Sequence, residues 1–153
     1  MSNFTSNTLL LTPSDTSETW ILSSEIEYRY GSKDSYMVIR VPVGFETDGA
    51  STGFLRGLLP QWGLYTKAAI IHDYLYRFAK MVNEYDNSII TVDRELADEI
   101  FLEAMEVCGV SRIKRNIMFW GVRLFGWWEY KPTYSLDIEP TIKFLDQLKR
   151  HID

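Results

Sequence analysis

The stretch that decides the fold is residues 68–77, which read AAIIHDYLYR. Its apolar residues recur at helical spacing, so the pattern predicts a helix over residues 64 to about 81. On such a helix His72 shares its face with Leu75, Tyr76 and several alanines. This face is apolar, so we expect His72 to point toward the core, where a buried imidazole needs hydrogen-bond partners.

Two further helices are predicted after this stretch. The second begins near Thr91, which we take as its N-cap, and stops before Gly109. The third begins after Ser111 and runs to Phe125. One side of the third helix is apolar and consists of Ile113, Ile117, Trp120 and Leu124.

The chain before residue 64 is predicted to contain strands. Residues 25–30 alternate polar and apolar side chains, which is typical of a half-buried strand. A second strand is expected over residues 36–43, and the turn-forming residues 31–35 separate the two. We therefore expect an antiparallel hairpin.

The fold class predicted from these elements is α+β. We expect an N-terminal antiparallel β-hairpin or small sheet, then a three-helix bundle, then a short C-terminal helix that begins at Pro140. A further short helix is expected over residues 54–59. A single domain over residues 1–153 is expected, with a β part at about 8–45, a loop at 44–63, a helical part at 64–126 and a tail at 127–153.

Composition excludes several functional classes. The net charge of −5 argues against general nucleic-acid binding. The single cysteine, Cys108, excludes an intramolecular disulfide, and the one other histidine, His151, makes a zinc site with two histidines inside the domain untenable. We expect no signal peptide, since the N-terminus lacks a basic and a long apolar region, and no transmembrane segment.

The candidate catalytic residues are His72 and Asp98. If the first two helices pack antiparallel, Asp98 can hold one imidazole nitrogen and leave the other as a general base. Asp73 points about 100° away from His72 and suits a hard cation instead. Asp48 lies in a glycine-containing loop and is the natural second oxygen ligand, so calcium is the cofactor to consider.

Each of these residues also has a structural interpretation. His72 could be a core histidine bonded to a carbonyl, and Asp48 could form an Asx-turn before a glycine. Asp73 could pair with Arg77, and Asp98 with Arg94, as ordinary helix ion pairs. The aromatic residues between 119 and 130 have two interpretations, either core packing with a C-terminal anchor, which we favour, or an exposed patch for a lipid surface or a protein.

Two resemblances follow from ordered motifs. Residues 41–51 (VPVGFETDGAS), residues 68–77, the pattern Arg94-x-x-Ala-Asp98-x-x-Phe101 and residues 122–126 resemble a family of unknown function from tailed bacteriophages and prophages. The resemblance implies a phage gene product and no particular reaction.

A fainter resemblance is to the bacterial calcium-dependent phospholipases of the secretory type. It is carried by His-Asp-x-x-Tyr at residues 72–76 and Asp-x-x-Phe at residues 98–101. The resemblance implies that His72 activates water, Asp98 orients it, and Asp73 with Asp48 holds calcium. Those enzymes are usually disulfide-bridged and exported, whereas this chain has a single cysteine and we expect it not to be exported.

We therefore expect a phage-encoded protein that hydrolyses an ester or amide bond at a His–Asp site. The alternatives are a non-enzymatic virion, tail or assembly protein, and a host-directed factor that binds a protein. The expected partners are other phage proteins or a host protein, with a lipid or peptide as substrate, in the host cytoplasm or the virion. A cleft that reaches His72 favours the enzyme, and a sealed network favours the structural protein.

Overall fold

The computed structural model describes residues 3–6, 8–15, 19–48, 62–132 and 149. Within these residues the chain forms eight strands and three helices. The strands are β1 (Asn3–Phe4), β2 (Leu11–Pro13), β3 (Trp20–Leu22), β4 (Ile26–Arg29), β5 (Met37–Val41), β6 (Glu46–Thr47), β7 (Lys80–Asn83) and β8 (Ser88–Thr91). The helices are α1 (Thr66–Phe78), α2 (Arg94–Val107) and α3 (Arg112–Phe125).

The strands form two antiparallel sheets. The larger sheet has the order β1-β4-β5-β7-β8, and the smaller has the order β2-β3-β6. The centre of the larger sheet is the predicted hairpin, in which Tyr28 of β4 lies opposite Ile39 of β5. β4 buries Ile26 and Tyr28 and leaves the alternate residues partly exposed, as its sequence pattern predicts. The hairpin prediction is thus confirmed.

The α+β class is also confirmed, but the predicted order of elements is wrong. The chain does not run from one hairpin or small sheet into an uninterrupted three-helix bundle. It returns to the larger sheet between α1 and α2, where β7 pairs with β5 and with β8. Two strands of the larger sheet, β7 and β8, therefore lie between the first two helices in the sequence.

The physical reason lies at the end of α1. The sequence predicts a helix to about residue 81 and then a loop, but α1 ends at Phe78. Ala79 adopts a left-handed φ of 51° and donates its N–H to the carbonyl of Leu75. Residues 80–83 then find free ladder positions beside β5, and Met81 is buried there. Tertiary strand pairing thus overrides the local preference for helix.

The bounds of α2 and α3 agree closely with the prediction, but the N-cap of α2 is not the predicted Thr91. The N-cap of α2 is Asp93, whose side chain accepts a hydrogen bond from the N–H of Leu96, and Thr91 belongs to β8. Gly109 has a φ of +81° and separates α2 from α3, and Ser111 is the N-cap residue of α3. α1 packs against α2 and β5, and α2 packs against α3.

The core lies between the larger sheet and the helices. Every helix and both central strands contribute to it. Its largest fully buried side chains are Tyr28, Tyr65, Phe45, Phe101, Leu22, Ile39, Ile70, Ile71, Leu75, Ile100, Met105 and Met118. Burial of this apolar surface is the main force that holds α1 and α2 against the sheet.

Two predicted elements, the helix over residues 54–59 and the C-terminal helix that begins at Pro140, lie outside the described residues. None of the described helices is both long and apolar enough to cross a membrane.

Candidate functional site

His72 projects from the middle of α1 into the contact between α1 and α2. Its ring lies between those of Tyr76 and Phe101, with centroid distances of 4.0 Å and 4.6 Å. The small residues Ala68 and Ala69, one turn earlier on α1, are buried and let α2 approach closely. His72 is consequently almost buried, with its side chain 11% exposed.

Asp98 of α2 is fully buried and accepts hydrogen bonds on both carboxylate oxygens. Oδ1 accepts from Nε2 of His72 at 2.8 Å and from Oη of Tyr76 at 2.6 Å. Oδ2 accepts from Nη1 of Arg123 at 3.3 Å and lies 3.8 Å from Nη1 of Arg94. The two residues predicted as a catalytic pair are therefore in direct contact, and their catalytic role stays a prediction.

The charges in this cluster follow from the contacts. Burial opposes ionisation of Asp98, but hydrogen bonds from His72 and Tyr76 outweigh it and lower the pKa of Asp98. Burial, together with the hydrogen bond to Asp98, raises the pKa of Tyr76 above its ordinary value. Asp98 is thus a carboxylate, and Tyr76 is a neutral donor.

These charges determine the tautomer of His72. A carboxylate can only accept, so Nε2 must carry a proton to bond Asp98. In neutral His72 the lone pair is then on Nδ1. Within the described part of the chain, no hydrogen bond to Nδ1 is found. The imidazole is therefore oriented through Nε2, and its Nδ1 carries the lone pair.

Asp73 lies on a different side of α1 and does not join this cluster. Its Oδ2 accepts from Nη2 of Arg77 at 3.0 Å, which is the ion pair of the structural interpretation. Arg77 also donates to the carbonyl of Glu46 at 2.9 Å and lies over the ring of Phe45. Arg77 thereby ties α1 to the segment around β6.

The predicted metal ligands, Asp48 and Asp73, are close enough for their charges to interact. Burial raises the pKa of Asp73 to about 7, and repulsion from Asp48 and Glu129 adds to that rise against the effect of Arg77. Among the described residues, however, no group of three or more His, Cys, Asp or Glu side chains could hold a metal ion. A calcium site at Asp48 and Asp73 stays a prediction.

Sequence reasoning missed two residues of the cluster, Tyr76 and Arg123. Tyr76 carried a usable signal, because it lies one helical turn after His72 on the same face of α1. Arg123 carried none, since its approach to Asp98 depends on how α3 packs on α2. The predicted pairing of Asp98 with Arg94 is present, but at 3.8 Å it is the longer of the two arginine contacts.

Comparison with known proteins identifies the family. A family model described as "Protein of unknown function (DUF1353)" matches residues 20–122, which is more than half of the chain. The protein therefore belongs to this family, and the prediction of an uncharacterised family is confirmed. The match spans β3 through most of α3 and includes both His72 and Asp98. No curated protein and no solved structure matches the chain.

Proposed function

We propose that the protein is a hydrolase of an ester or amide bond in which His72 is the general base. The observation that carries the proposal is the pair of bonds on Oδ1 of Asp98, from Nε2 of His72 and Oη of Tyr76. A buried carboxylate that orients an imidazole and stabilises its protonated form is a recurrent arrangement for general-base catalysis.

The chemical step follows from this orientation. Nδ1 of His72 removes a proton from a water molecule while the water oxygen bonds to the carbonyl carbon of the substrate. Asp98 stabilises the imidazolium that forms, at a hydrogen-bond distance of 2.8 Å. The bond from carbon to the leaving oxygen or nitrogen then breaks, and His72 returns the proton to that leaving atom. No residue other than His72 changes its protonation state over the cycle.

The remaining contacts of Asp98 support a role in orientation. Arg123 and Arg94 provide positive charge on Oδ2, so Oδ1 is left to His72 and Tyr76. The carboxylate is therefore held ionised without a proton of its own.

The biological setting is also part of the proposal. The ordered motifs at residues 41–51, 68–77 and 122–126 resemble the tailed-phage family, and they support a phage-encoded protein. We accordingly propose action in the host cytoplasm or the virion, with phage or host proteins as partners and a lipid or peptide as substrate.

One observation favours a second candidate, a non-enzymatic virion, tail or assembly protein. Asp98 is wholly buried and joins side chains from all three described helices, and His72 is almost buried beside it. A fully satisfied buried polar network is a common way to specify a unique packing. Under this candidate the cluster determines how α1, α2 and α3 pack and performs no chemistry.

The test is an activity screen with matched variants. Wild type, His72→Gln and His151→Gln, which replaces the other histidine, are assayed with nitrophenyl esters of short and long acids and with a nitroanilide. We expect wild type and His151→Gln to be active, and His72→Gln to lose about 100-fold or more, the usual contribution of a general base.

The melting temperature of the same variants completes the test. If His72→Gln loses activity and keeps its melting temperature within a few degrees, the enzyme proposal holds. If wild type is inactive on every substrate and His72→Gln unfolds far below it, the network is structural and the second candidate replaces the first.

A further inference from the structure

The outer side of α3 is apolar and faces solvent. Its four large side chains are between 56% and 76% exposed, and they are Ile113, Ile117, Trp120 and Leu124. Their spacing of four, three and four residues aligns them in one stripe along the helix. The core-packing interpretation of the aromatic residues between 119 and 130 is therefore wrong for Trp120, whereas Tyr130 does pack against the core.

Folding of the described domain does not explain this stripe. α3 contacts α2 through its opposite side, where Met118 and Gly121 are buried. The helix thus has a small inner side that completes the core and a larger apolar side that faces outward. Contiguous exposed apolar surfaces mark binding sites, whereas single exposed apolar side chains are common and have no such meaning.

Tryptophans continue the stripe beyond the end of α3. Trp127 and Trp128 are 63% and 47% exposed, and their rings pack edge to face at 5.4 Å. With Trp120 they place three exposed indoles on this region of the molecule. Tryptophan is enriched at membrane–water interfaces, because its ring is apolar and its N–H remains able to bond water or headgroups.

The ionisable side chains of α3 are all positive. No carboxylate occurs between residues 112 and 125, and the cations there are Arg112, Lys114, Arg115 and Arg123. The whole chain has a net charge of −5, so this helix differs in sign from the protein that carries it. Concentrated positive charge on an acidic protein favours an anionic partner at this place.

Two of these cations flank the apolar stripe. Arg112 and Lys114 lie about 100° to either side of Ile113 on the helical surface. Arg112 is exposed, and Lys114 is half-buried with its Nζ 4.6 Å from the ring centroid of Tyr65. Arg115 and Arg123 instead pair with glutamates and with Asp98. Arg112 is thus the flanking cation that is exposed and placed to meet anionic groups beside the stripe.

We propose that α3 docks the protein on an anionic lipid bilayer, with the helix in the plane of the membrane surface. The apolar stripe enters the boundary between headgroups and acyl chains, and Arg112 contacts anionic headgroups. This combination of an apolar side, exposed tryptophans and flanking cations is typical of interfacial helices. A second copy of the chain fits less well, because two paired α3 helices would bring like charges together. The proposal uses other residues than the His72 site and stands independently of the hydrolase.

The experiment measures binding of the full chain to vesicles. Wild type is mixed with phosphatidylcholine vesicles with and without phosphatidylglycerol, and binding is followed by co-sedimentation and by the blue shift of tryptophan emission. The test variant is Ile117→Glu/Leu124→Glu, which changes two exposed stripe residues. The control is Ile89→Glu, which places the same charge at an apolar side chain of β8 that is 68% exposed.

We expect wild type and Ile89→Glu to bind vesicles that contain phosphatidylglycerol, more weakly as salt is raised. The double variant should bind about tenfold more weakly or worse at an unchanged melting temperature. Arg112→Gln should reduce binding to anionic vesicles only.

Two results would overturn the proposal. One is wild type that does not bind anionic vesicles, or that binds them no better than the double variant does. The other is a wild-type dimer in sedimentation equilibrium that Ile117→Glu/Leu124→Glu dissociates while no vesicle binding occurs, which would assign the stripe to a second copy.

Discussion

Among single residues, Asp73 is a partly buried carboxyl group whose pKa is raised. Its side chain is 18% exposed, and burial raises its pKa to about 7. Repulsion from Asp48 and Glu129 acts in the same direction, and Arg77 offsets the rise only in part. The protonated form of this carboxyl group therefore persists to a higher pH than in an exposed aspartate.

Asp73→Asn should raise stability at neutral and alkaline pH. The folded pKa of about 7 exceeds the unfolded value of about 3.9, so the folded state binds more protons between these values. Stability from this group is thus greatest at low pH and falls as pH rises toward 7. The variant removes that fall, and its melting temperature above pH 7 should exceed that of wild type by about 2–4 °C.

The control for this prediction is Asp86→Asn. Hydrogen bonds from Ser88 lower the pKa of Asp86. The contribution of Asp86 to folding stability is therefore lost as pH falls, which is the opposite of the pH dependence expected for Asp73. Thermal melts across the pH range should show Asp86→Asn melting slightly below wild type at neutral pH. If the melting temperatures of wild type and Asp73→Asn depend on pH in the same way, the pKa of Asp73 is not raised.

At the scale of elements, the start of α2 shows how a strand and a helix compete for the same residues. Thr91 is a suitable cap by its residue type, but its backbone pairs with Lys80 in the β7–β8 ladder. The cap therefore moves to Asp93, whose backbone is extended and whose carboxylate accepts from the N–H of Leu96 at 2.8 Å. The ladder position of β8 thus determines where the helix begins.

Asp93→Ala should destabilise the protein by about 1 kcal/mol, because it leaves a first-turn N–H of α2 without its acceptor. The corresponding fall in melting temperature is about 2–4 °C. Thr91→Ala is the matched control and should change stability by only a few tenths of that energy, since its side chain is exposed on β8. A larger loss of stability for Thr91→Ala than for Asp93→Ala would show that Thr91 is the N-cap, as the sequence predicts.

At the scale of the whole molecule, buried and half-buried polar contacts connect the elements. Asp98 links α2 to α1 through His72 and to α3 through Arg123. On the other side of α2, Oε1 of Glu103 accepts from Tyr28 of β4 at 2.7 Å. α2 is therefore joined by hydrogen bonds to both other helices and to the larger sheet.

Asp98→Asn should destabilise the protein by about 2–4 kcal/mol, because it leaves donors from three helices facing a neutral amide. A fall in melting temperature of at least about 5 °C is expected. Glu95→Gln is the control, since it removes only the exposed partner of Arg123, and its effect should be small. Equal melting temperatures for the two variants would contradict the central role of Asp98.

Features that repeat along the chain could be predicted from local sequence patterns. The alternation of residues 25–30 predicted β4 and its hairpin, and helical spacing predicted α2 and α3 nearly to their ends. It also predicted that His72 and Asp98 face each other, because the two positions lie on inward faces of adjacent helices. These features depend on local periodicity, which is readable from neighbouring residues.

Features that depend on residues distant in the sequence could not be predicted from local patterns, because they require the folded arrangement of the whole chain. Residues 80–91 became a hairpin because β5 offered an unpaired edge, which no local pattern reveals. Arg123 joined Asp98, and the apolar stripe of α3 faced outward, because α3 packs on α2 through Met118 and Gly121. Periodicity shows that a helix has an apolar stripe, but the packing partner decides which side is covered, and partners are brought together by the whole chain.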